Sequence, residues 1–69
     1  MPESVYKFIE LVGTSDISWE AAAKKAVETA GKSLSGLRVA EVTKLDMTVE
    51  DGEVKHYRVR VSLSFRLEE

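Results

Sequence analysis

The chain has 69 residues, no cysteine and a formal net charge of −2, from 10 basic and 12 acidic side chains. These values exclude disulfide bonds and thiolate metal sites, and the charge argues against a nucleic-acid partner. A single histidine does not form a His-based zinc site by itself. The length predicts one domain over residues 1–69, and a small domain without disulfides often gains stability by forming oligomers.

The cellular location is predicted from two features that the sequence lacks. No apolar run approaches the ~18 residues of a membrane-spanning helix. The start, Met1–Glu3, has neither the basic residues nor the apolar stretch of a signal peptide. We therefore expect a cytoplasmic protein with no membrane partner.

The first predicted element is a strand over Ser4–Val12, because this segment is rich in β-branched and aromatic residues. Its apolar residues lie on both faces: Val5, Ile9 and Leu11 on one, and Tyr6, Phe8 and Val12 on the other. Two apolar faces in so small a protein indicate either a contact beyond the monomer or a peripheral strand with chance apolar residues. Gly13 is expected to end the strand and to open a turn over residues 13–18.

A helix of about 16 residues is predicted next, with Ser18 as its N-cap and Gly36 as its C-terminal stop. One face carries an apolar stripe of 3.6-residue period: Trp19, Ala22, Ala23, Ala26, Val27, Ala30 and Leu34. The turn before the helix favours capping over anion binding, because it matches no phosphate-binding motif. Trp19 is interpreted as a core or interface residue, with a ligand-stacking platform as the alternative.

The second half of the chain, from Leu37 to Leu67, predicts two long strands joined at Glu50-Asp51-Gly52. A two-residue turn at Asp51-Gly52 would place the apolar residues of the two strands on opposite faces, whereas a three-residue loop with Gly52 in the left-handed region aligns them. The three-residue loop is therefore predicted. It gives the cross-strand pairs Leu45–Tyr57, Val39–Leu63 and Leu37–Phe65. A β-bulge near Thr43 is also considered, since Ala40 and Val42 otherwise fall on the polar face.

These elements predict an α+β fold of order β-α-β-β, with a three-stranded antiparallel sheet and one helix. Strands of about 13 residues span ~43 Å, whereas a helix of about 16 residues spans ~24 Å. The sheet therefore extends beyond the helix that covers it. This excess strand, together with the small core, predicts a homo-oligomer.

The sequence presents no catalytic residues, so we predict that the protein is not an enzyme. His56 and Ser62 share a strand face but lie roughly 20 Å apart along an extended chain. The carboxylates of the predicted hairpin lack the spacing of an EF-hand, and no metal ligand is assigned. One carboxylate per subunit on a symmetry axis stays open as a calcium site. The carboxylates are Glu41, Asp46, Glu50, Asp51 and Glu53.

Arg58, Arg60 and Arg66 form a basic strip on the polar face of the last strand, because residues an even number apart share a face. One interpretation is a solvated or salt-bridged face, with Asp46 and Glu41 as partners. The other is an anion or phosphate site gathered from several subunits. The sequence leaves both open.

Several segments together resemble the dodecin family. They are Val5-Tyr6-Lys7, the run Glu10–Ser15, the Ala-rich helix, Leu37-x-Val39-x-Glu41-Val42 and the closing run Val61–Glu68. The resemblance covers nearly the whole chain. It implies a dodecin-like sheet wrapped around one helix and a hollow homododecamer of cubic 23 symmetry. Flavin-binding members hold stacked flavin pairs between subunits and store them without turnover, and some members hold coenzyme A.

The resemblance also implies five ligand-binding positions, four of which differ here. Val39 stands where flavin-binding members have the tryptophan that stacks on the flavin, and Arg58 where they have a glutamine. Asp46 replaces an arginine, Arg38 replaces an aspartate, and Arg66 is retained. Valine offers no aromatic face and arginine accepts no hydrogen bond. The resemblance therefore predicts a small-ligand binding and storage protein in which FMN or riboflavin is a doubtful ligand. Flavin sequestration and a structural or calcium-binding assembly are the alternatives.

Overall fold

A computed structural model describes residues 3–67. The elements in chain order are β1 (Tyr6–Ser15), α1 (Trp19–Gly31), β2 (Leu37–Glu50) and β3 (Glu53–Arg66). The three strands form one antiparallel sheet in the order β1-β3-β2. This arrangement confirms the α+β fold of order β-α-β-β that the sequence predicts.

The helix packs on one face of the sheet, mainly over β1 and β3. Alanines of α1 contact the apolar side chains of the central strand, and the buried core consists of Ala22, Ala26, Ala30, Val59, Val61 and Leu63. Because alanine is small, the helix axis lies close to the sheet. On the helix side of β2, Leu45 and Met47 stay exposed.

The predicted excess of strand length over helix length is present in the structure. The described residues extend over 53 Å in the longest direction, whereas a 13-residue helix spans only ~20 Å. The hairpin of β2 and β3 therefore projects beyond α1. Within residues 3–67, no helix has the length and apolar character needed to cross a bilayer.

The sequence analysis predicted that Gly13 ends the first strand. This prediction is wrong, because β1 continues to Ser15. A Cβ atom at Gly13 would overlap the carbonyl oxygen of Ala22 and lie 3.0 Å from the Cβ of Ala26. Glycine is therefore required here because the helix backbone approaches the strand closely. The position of Gly13 before a turn suggested that it breaks the strand. The requirement for glycine comes instead from the tertiary contact with α1.

The N-terminus of α1 matches the prediction, and its C-terminus does not. Ser18 is the N-cap, and its hydroxyl accepts a hydrogen bond of 3.0 Å from the Ala21 N–H. The helix ends at Gly31, well before the predicted stop. The Leu34 N–H still bonds the Ala30 carbonyl at 2.9 Å, so a short turn follows the helix. Gly36 has a φ of 80° in the linker, and its carbonyl accepts from the Arg66 N–H at 3.1 Å.

The hairpin turn has two residues, so the predicted three-residue loop is wrong. Glu50 pairs directly with Glu53, and the turn residues Asp51 and Gly52 have φ values of 51° and 78°. Two consecutive positive φ values define a type I′ turn, whose twist matches that of the strands. Asp-Gly is a sequence that this turn favours.

The mismatch of apolar faces is corrected by a β-bulge rather than by the turn. The register shifts between Thr48 and Val49, which leaves Lys55 as the extra residue of β3. Beyond this bulge, Met47 pairs with Tyr57 and Leu45 pairs with Val59. The predicted pair Leu45–Tyr57 is therefore wrong by two residues, since Leu45 lies opposite Val59.

A second bulge, between Val42 and Lys44, confirms the one considered near Thr43. It places Ala40 and Val42 opposite Leu63 and Val61, on the helix side of the sheet. The polar face is thereby freed of these two apolar side chains.

A third shift in register lies between Leu37 and Val39, with Arg38 as the extra residue. The predicted pair of Leu37 with Phe65 is confirmed. The predicted pair Val39–Leu63 is wrong, because the bulge places Val39 opposite Ser64, on the side of the sheet away from α1.

Candidate functional site

The candidate site lies on the side of the sheet that faces away from α1, here called the outer face. Val59, Val61 and Leu63 of β3 are buried against the helix, so the residues between them point the other way. The outer face has four central rows, read across β1, β3 and β2. They are Thr14–Arg58–Asp46, Val12–Arg60–Lys44, Glu10–Ser62–Glu41 and Phe8–Ser64–Val39.

Asp46 and Arg58 form a bidentate ion pair across β2 and β3. The Arg58 Nε donates to Asp46 Oδ1 at 2.8 Å, and Arg58 Nη2 donates to Oδ2 at 3.0 Å. The hydrogen bond from Arg58 lowers the pKa of Asp46, and the positive charges of Arg58 and Arg60 act in the same direction, while partial desolvation opposes them. The same hydrogen bond raises the pKa of Arg58. Each side chain therefore stabilises the charged form of the other.

Trp19 holds this part of the hairpin against the start of the helix. Its Nε1–H donates to the Asp46 carbonyl oxygen at 3.0 Å. Its ring packs edge to face on Tyr57, with centroids 5.1 Å apart and an interplanar angle of 69°. These contacts favour the packing role expected for Trp19, and they connect α1 to the residue whose carboxylate binds Arg58.

The row Phe8–Ser64–Val39 forms an apolar patch at the other end of the outer face. Phe8 is 64% exposed and Val39 is 59% exposed, whereas Ser64 between them is 6% exposed. Ser64 lies six residues from Arg58 along β3, which corresponds to about 20 Å. One chain therefore does not bring Val39 together with Arg58.

Arg38 and Arg66 also lie at the Val39 end of the sheet. Arg38 is exposed at its bulge, where Nη1 reaches the Leu37 carbonyl at 3.5 Å. Arg66 is exposed at the end of β3, opposite Tyr6. The five ligand positions implied by the resemblance thus fall into two groups: Asp46 with Arg58 at one end, and Arg38, Val39 and Arg66 at the other.

The cavity beside Val39 is small and largely apolar. It has a volume of about 250 Å³. It is lined by Val27, Leu37, Arg38, Val39, Ala40 and Leu63. Ligand pockets for drug-sized molecules usually hold about 300–1,000 Å³, so this groove is too small to enclose one by itself.

The structure gives limited support to metal binding and to catalysis within one chain. Residues 3–67 contain no group of three or more His, Cys, Asp or Glu side chains placed to hold a metal ion. The Thr48 hydroxyl lies 3.4 Å from His56 Nδ1 and also accepts from the His56 backbone N–H at 3.1 Å. A histidine that acts as the base for a nucleophile is usually oriented by a third group, such as a carboxylate. No carboxylate bonds the His56 ring among the hydrogen bonds of the described residues.

Sequence reasoning missed the charged rows in the middle of the outer face. Lys44 lies opposite Arg60, and Glu10 and Glu41 flank Ser62. Part of the signal was present, because the bulge considered near Thr43 places Glu41 on the same face as Arg60. The pairing of Lys44 with Arg60 also depends on the bulge at Lys55, which the sequence analysis did not predict.

Comparison with known proteins gives matches over nearly the full chain. The dodecin family model matches residues 5–68. A dodecin of Thermus thermophilus is 45% identical over 65 residues, which cover 94% of each chain. A calcium dodecin of Mycobacterium tuberculosis is 44% identical over 64 residues, covering 93% of this chain and 90% of that one.

The solved structures agree with the sequence matches. The dodecin of Streptomyces coelicolor superposes with a TM-score of 0.92 at 40% identity, covering 100% of this chain and 99% of that chain. Strand order, helix position and chain length are thus shared. The chain belongs to the dodecin family.

Proposed function

We propose that the chain forms a hollow homododecamer that binds and stores a small ligand in the cytoplasm, without catalysing its conversion. The observation that carries this proposal is the division of the ligand positions into two groups about 20 Å apart on an open sheet face. Such a site is complete only when a second copy supplies the missing half.

Exposed apolar side chains support the assembly. On the outer face these are Phe8, Val12 and Val39, and on the helix side of β2 they are Leu45 and Met47. Exposed apolar patches mark protein–protein interfaces in soluble proteins, and Phe8 and Val39 lie in one row of the outer face. In an assembly, these side chains would be covered by neighbouring copies.

The ligand proposed here carries an anionic group and does not depend on aromatic stacking. Arg38 and Arg66 are exposed beside Val39, and neither forms an ion pair among residues 3–67. Val39 supplies no ring for a flavin. Arg58 accepts no hydrogen bond, and its guanidinium is occupied by Asp46.

A fluorescence titration of FMN and riboflavin tests the ligand class. We expect no quenching at micromolar protein for the parent chain, and quenching for the double variant Val39→Trp/Arg58→Gln. The matched control is Val39→Leu/Arg58→Gln, which adds apolar volume without a ring. Strong quenching by the parent chain would instead support flavin sequestration.

The absorbance spectrum and mass of the ligand released from natively purified protein would then identify the physiological compound.

Calcium binding is the second candidate, because the relative from Mycobacterium tuberculosis is named a calcium dodecin. Since no metal-binding group is formed within residues 3–67 of one chain, carboxylates from several copies would have to meet. Calorimetric titration with Ca²⁺ after dialysis against EDTA measures this directly. A flat titration of the assembled protein would rule calcium out.

A further inference from the structure

The aspartates of the chain differ in how the fold constrains their carboxyl groups and the backbone that follows them. They are Asp16, Asp46 and Asp51, and the sequence contains no asparagine or glutamine. An aspartate isomerises when the backbone nitrogen of the next residue attacks its side-chain carboxyl group. The reaction needs a nitrogen free of hydrogen bonds, a carboxyl group free of ion pairs, and a backbone that can rotate to bring the two together.

Asp16 lacks a free nitrogen. The attacking atom would be the backbone nitrogen of Ile17, whose N–H donates to Ser15 Oγ at 2.9 Å. Ile17 also carries two heavy atoms on its Cβ, which crowd the approach of its nitrogen to a neighbouring carboxyl group. The loop before α1 therefore protects this aspartate, although Asp16 itself is exposed.

Asp46 lacks a free carboxyl group. Both of its oxygens accept hydrogen bonds from Arg58, at 2.8 and 3.0 Å. These bonds favour the charged carboxylate, which has no hydroxyl group to lose as water. The next residue, Met47, is also held in the sheet opposite Tyr57, so its nitrogen does not rotate freely. The hairpin strands therefore protect this aspartate.

Asp51 has neither protection at the tip of the hairpin. Its side chain is exposed and forms no ion pair among residues 3–67. The attacking nitrogen belongs to Gly52. A two-residue turn is closed by hydrogen bonds between its flanking residues, here Glu50 and Glu53, so the Gly52 N–H has no ladder partner. The backbone hydrogen bonds of the turns within residues 3–67 do not use this N–H either.

The backbone of this turn also meets little resistance to rotation. Asp51 has a φ of 51°, in the left-handed region that disfavours residues with a Cβ atom. Beyond its chain neighbours, no heavy atom lies within 4 Å of the position that a Cβ on Gly52 would occupy. Glu50 and Glu53 are like charges at the closing pair, which weakens it. Lys55 offsets this only in part, since its Nζ lies 4.0 Å from Glu50 Oε1.

We propose that Asp51-Gly52 is a site of spontaneous covalent modification, at which the folded protein converts Asp51 to isoaspartate. The Gly52 nitrogen forms a bond to Asp51 Cγ, and its proton leaves with the carboxyl hydroxyl as one water molecule. Water then adds to the main-chain carbonyl of the resulting succinimide and breaks the bond from that carbonyl to the Gly52 nitrogen. Gly52 stays joined through Cγ. The net reaction is an isomerisation that consumes no oxidant or cofactor.

The modification changes the turn and leaves the core unchanged. Isoaspartate inserts the side-chain methylene into the main chain, so the type I′ geometry of two residues with positive φ is lost. The bulge at Lys55 separates the tip from the pair of Met47 with Tyr57, which we expect to persist. The product also carries a new α-carboxylate, the group that isoaspartate methyltransferases recognise. The reaction takes place within one chain and does not depend on the proposed ligand.

Ageing of the unmodified protein tests the proposal. The parent is incubated for several weeks in neutral buffer, folded and, in parallel, unfolded in urea. Electron-transfer fragmentation of its peptides then distinguishes the two isomers, which have equal mass. In the folded protein we expect isoaspartate at position 51, with a minor succinimide that is lighter by one water, and neither product at Asp16 or Asp46. In urea, Asp46 should react as well, because its ion pair and strand pairing are lost.

Asp51→Gly is the matched control variant. Glycine adopts positive φ and so keeps the turn, but it has no carboxyl group. We expect this variant to lose the labelling of the aged, folded protein by an isoaspartate methyltransferase with tritiated S-adenosylmethionine. If position 51 reacts in urea but not in the folded parent, the turn protects the site and the proposal is overturned. Equal conversion of Asp46 and Asp51 in the folded parent would also overturn it, because the structure would then not select the site.

Discussion

The two faces of the sheet differ in how much of their surface one chain covers. On the helix side, Val59, Val61 and Leu63 are enclosed by the alanines of α1. On the outer face, Phe8 and Val39 are open to solvent. The helix side is therefore a packed core within one chain, whereas one chain leaves the apolar side chains of the outer face uncovered. Changes on the helix side should lower the stability of the chain itself, and changes on the outer face should act through assembly.

The largest effect is expected from Leu63→Ala. Leu63 is 1% exposed, and its truncation leaves a cavity that should cost about 2–5 kcal/mol in the free energy of unfolding. Val39→Ala is the matched control, since Val39 is exposed in the single chain. Thermal unfolding over a range of protein concentrations separates the two, because assembly makes Tm depend on concentration. A concentration-independent drop for Val39→Ala, as large as that for Leu63→Ala, would contradict the distinction between the faces.

A smaller loss is expected from Gly13→Ala, where strand and helix meet. The added methyl group would overlap the backbone oxygen of Ala22, which moves only with the helix. The expected destabilisation is about 1–3 kcal/mol by urea unfolding. Gly31→Ala is the control for the same substitution, because its Cβ would meet only Leu37 Cδ1 at an ordinary 3.9 Å. A neutral result at Gly13 would mean that the helix shifts readily.

The smallest effect is expected at Asp46 and concerns pH. Because Arg58 lowers the pKa of Asp46 in the folded chain, the unfolded chain binds this proton more readily. The stabilisation is present above the ordinary aspartate pKa of about 3.9, and it is lost as pH falls through the lower folded value. Asp46→Asn should therefore reduce the fall in Tm between about pH 4 and pH 2.

Asp16→Asn is the control for removing one carboxylate, since it changes the loop before α1 and no ion pair of the described residues. An acid-induced fall in Tm that is equal in the parent and in Asp46→Asn would show that the ion pair does not persist in solution.

Local sequence predicted the elements and the fold, but not the register of the hairpin. The N-cap at Ser18 and the alternation along β3 could be predicted, because each depends only on residues close together in the chain. The turn was mispredicted because two different changes can bring the apolar residues of β2 and β3 onto one face. One is a longer loop, and the other is a β-bulge next to a two-residue turn. The structure uses the bulge at Lys55, which leaves Asp51-Gly52 in the turn that this dipeptide favours.

The candidate site was predictable in part. One of the two interpretations of the arginine strip named Asp46 and Glu41 as partners, and the ion pair of Arg58 with Asp46 is present. The row that joins Glu41 to Ser62 depends on an extra residue at Thr43, whereas the pairing of Lys44 with Arg60 depends on the extra residue Lys55 of β3. A single-residue insertion of this kind changes the face of each side chain beyond it.

The sequence by itself determined the order of elements, the alanine stripe of α1, the dodecin resemblance and the loss of a stacking ring at Val39. These follow from residue type and from short periodicities, which neighbouring residues impose. The tertiary structure decided the requirement for glycine at position 13, the three bulges, and the separation of Val39 from Arg58 along the sheet. Each of these depends on which backbone lies opposite which, a relation between segments that are distant in the chain.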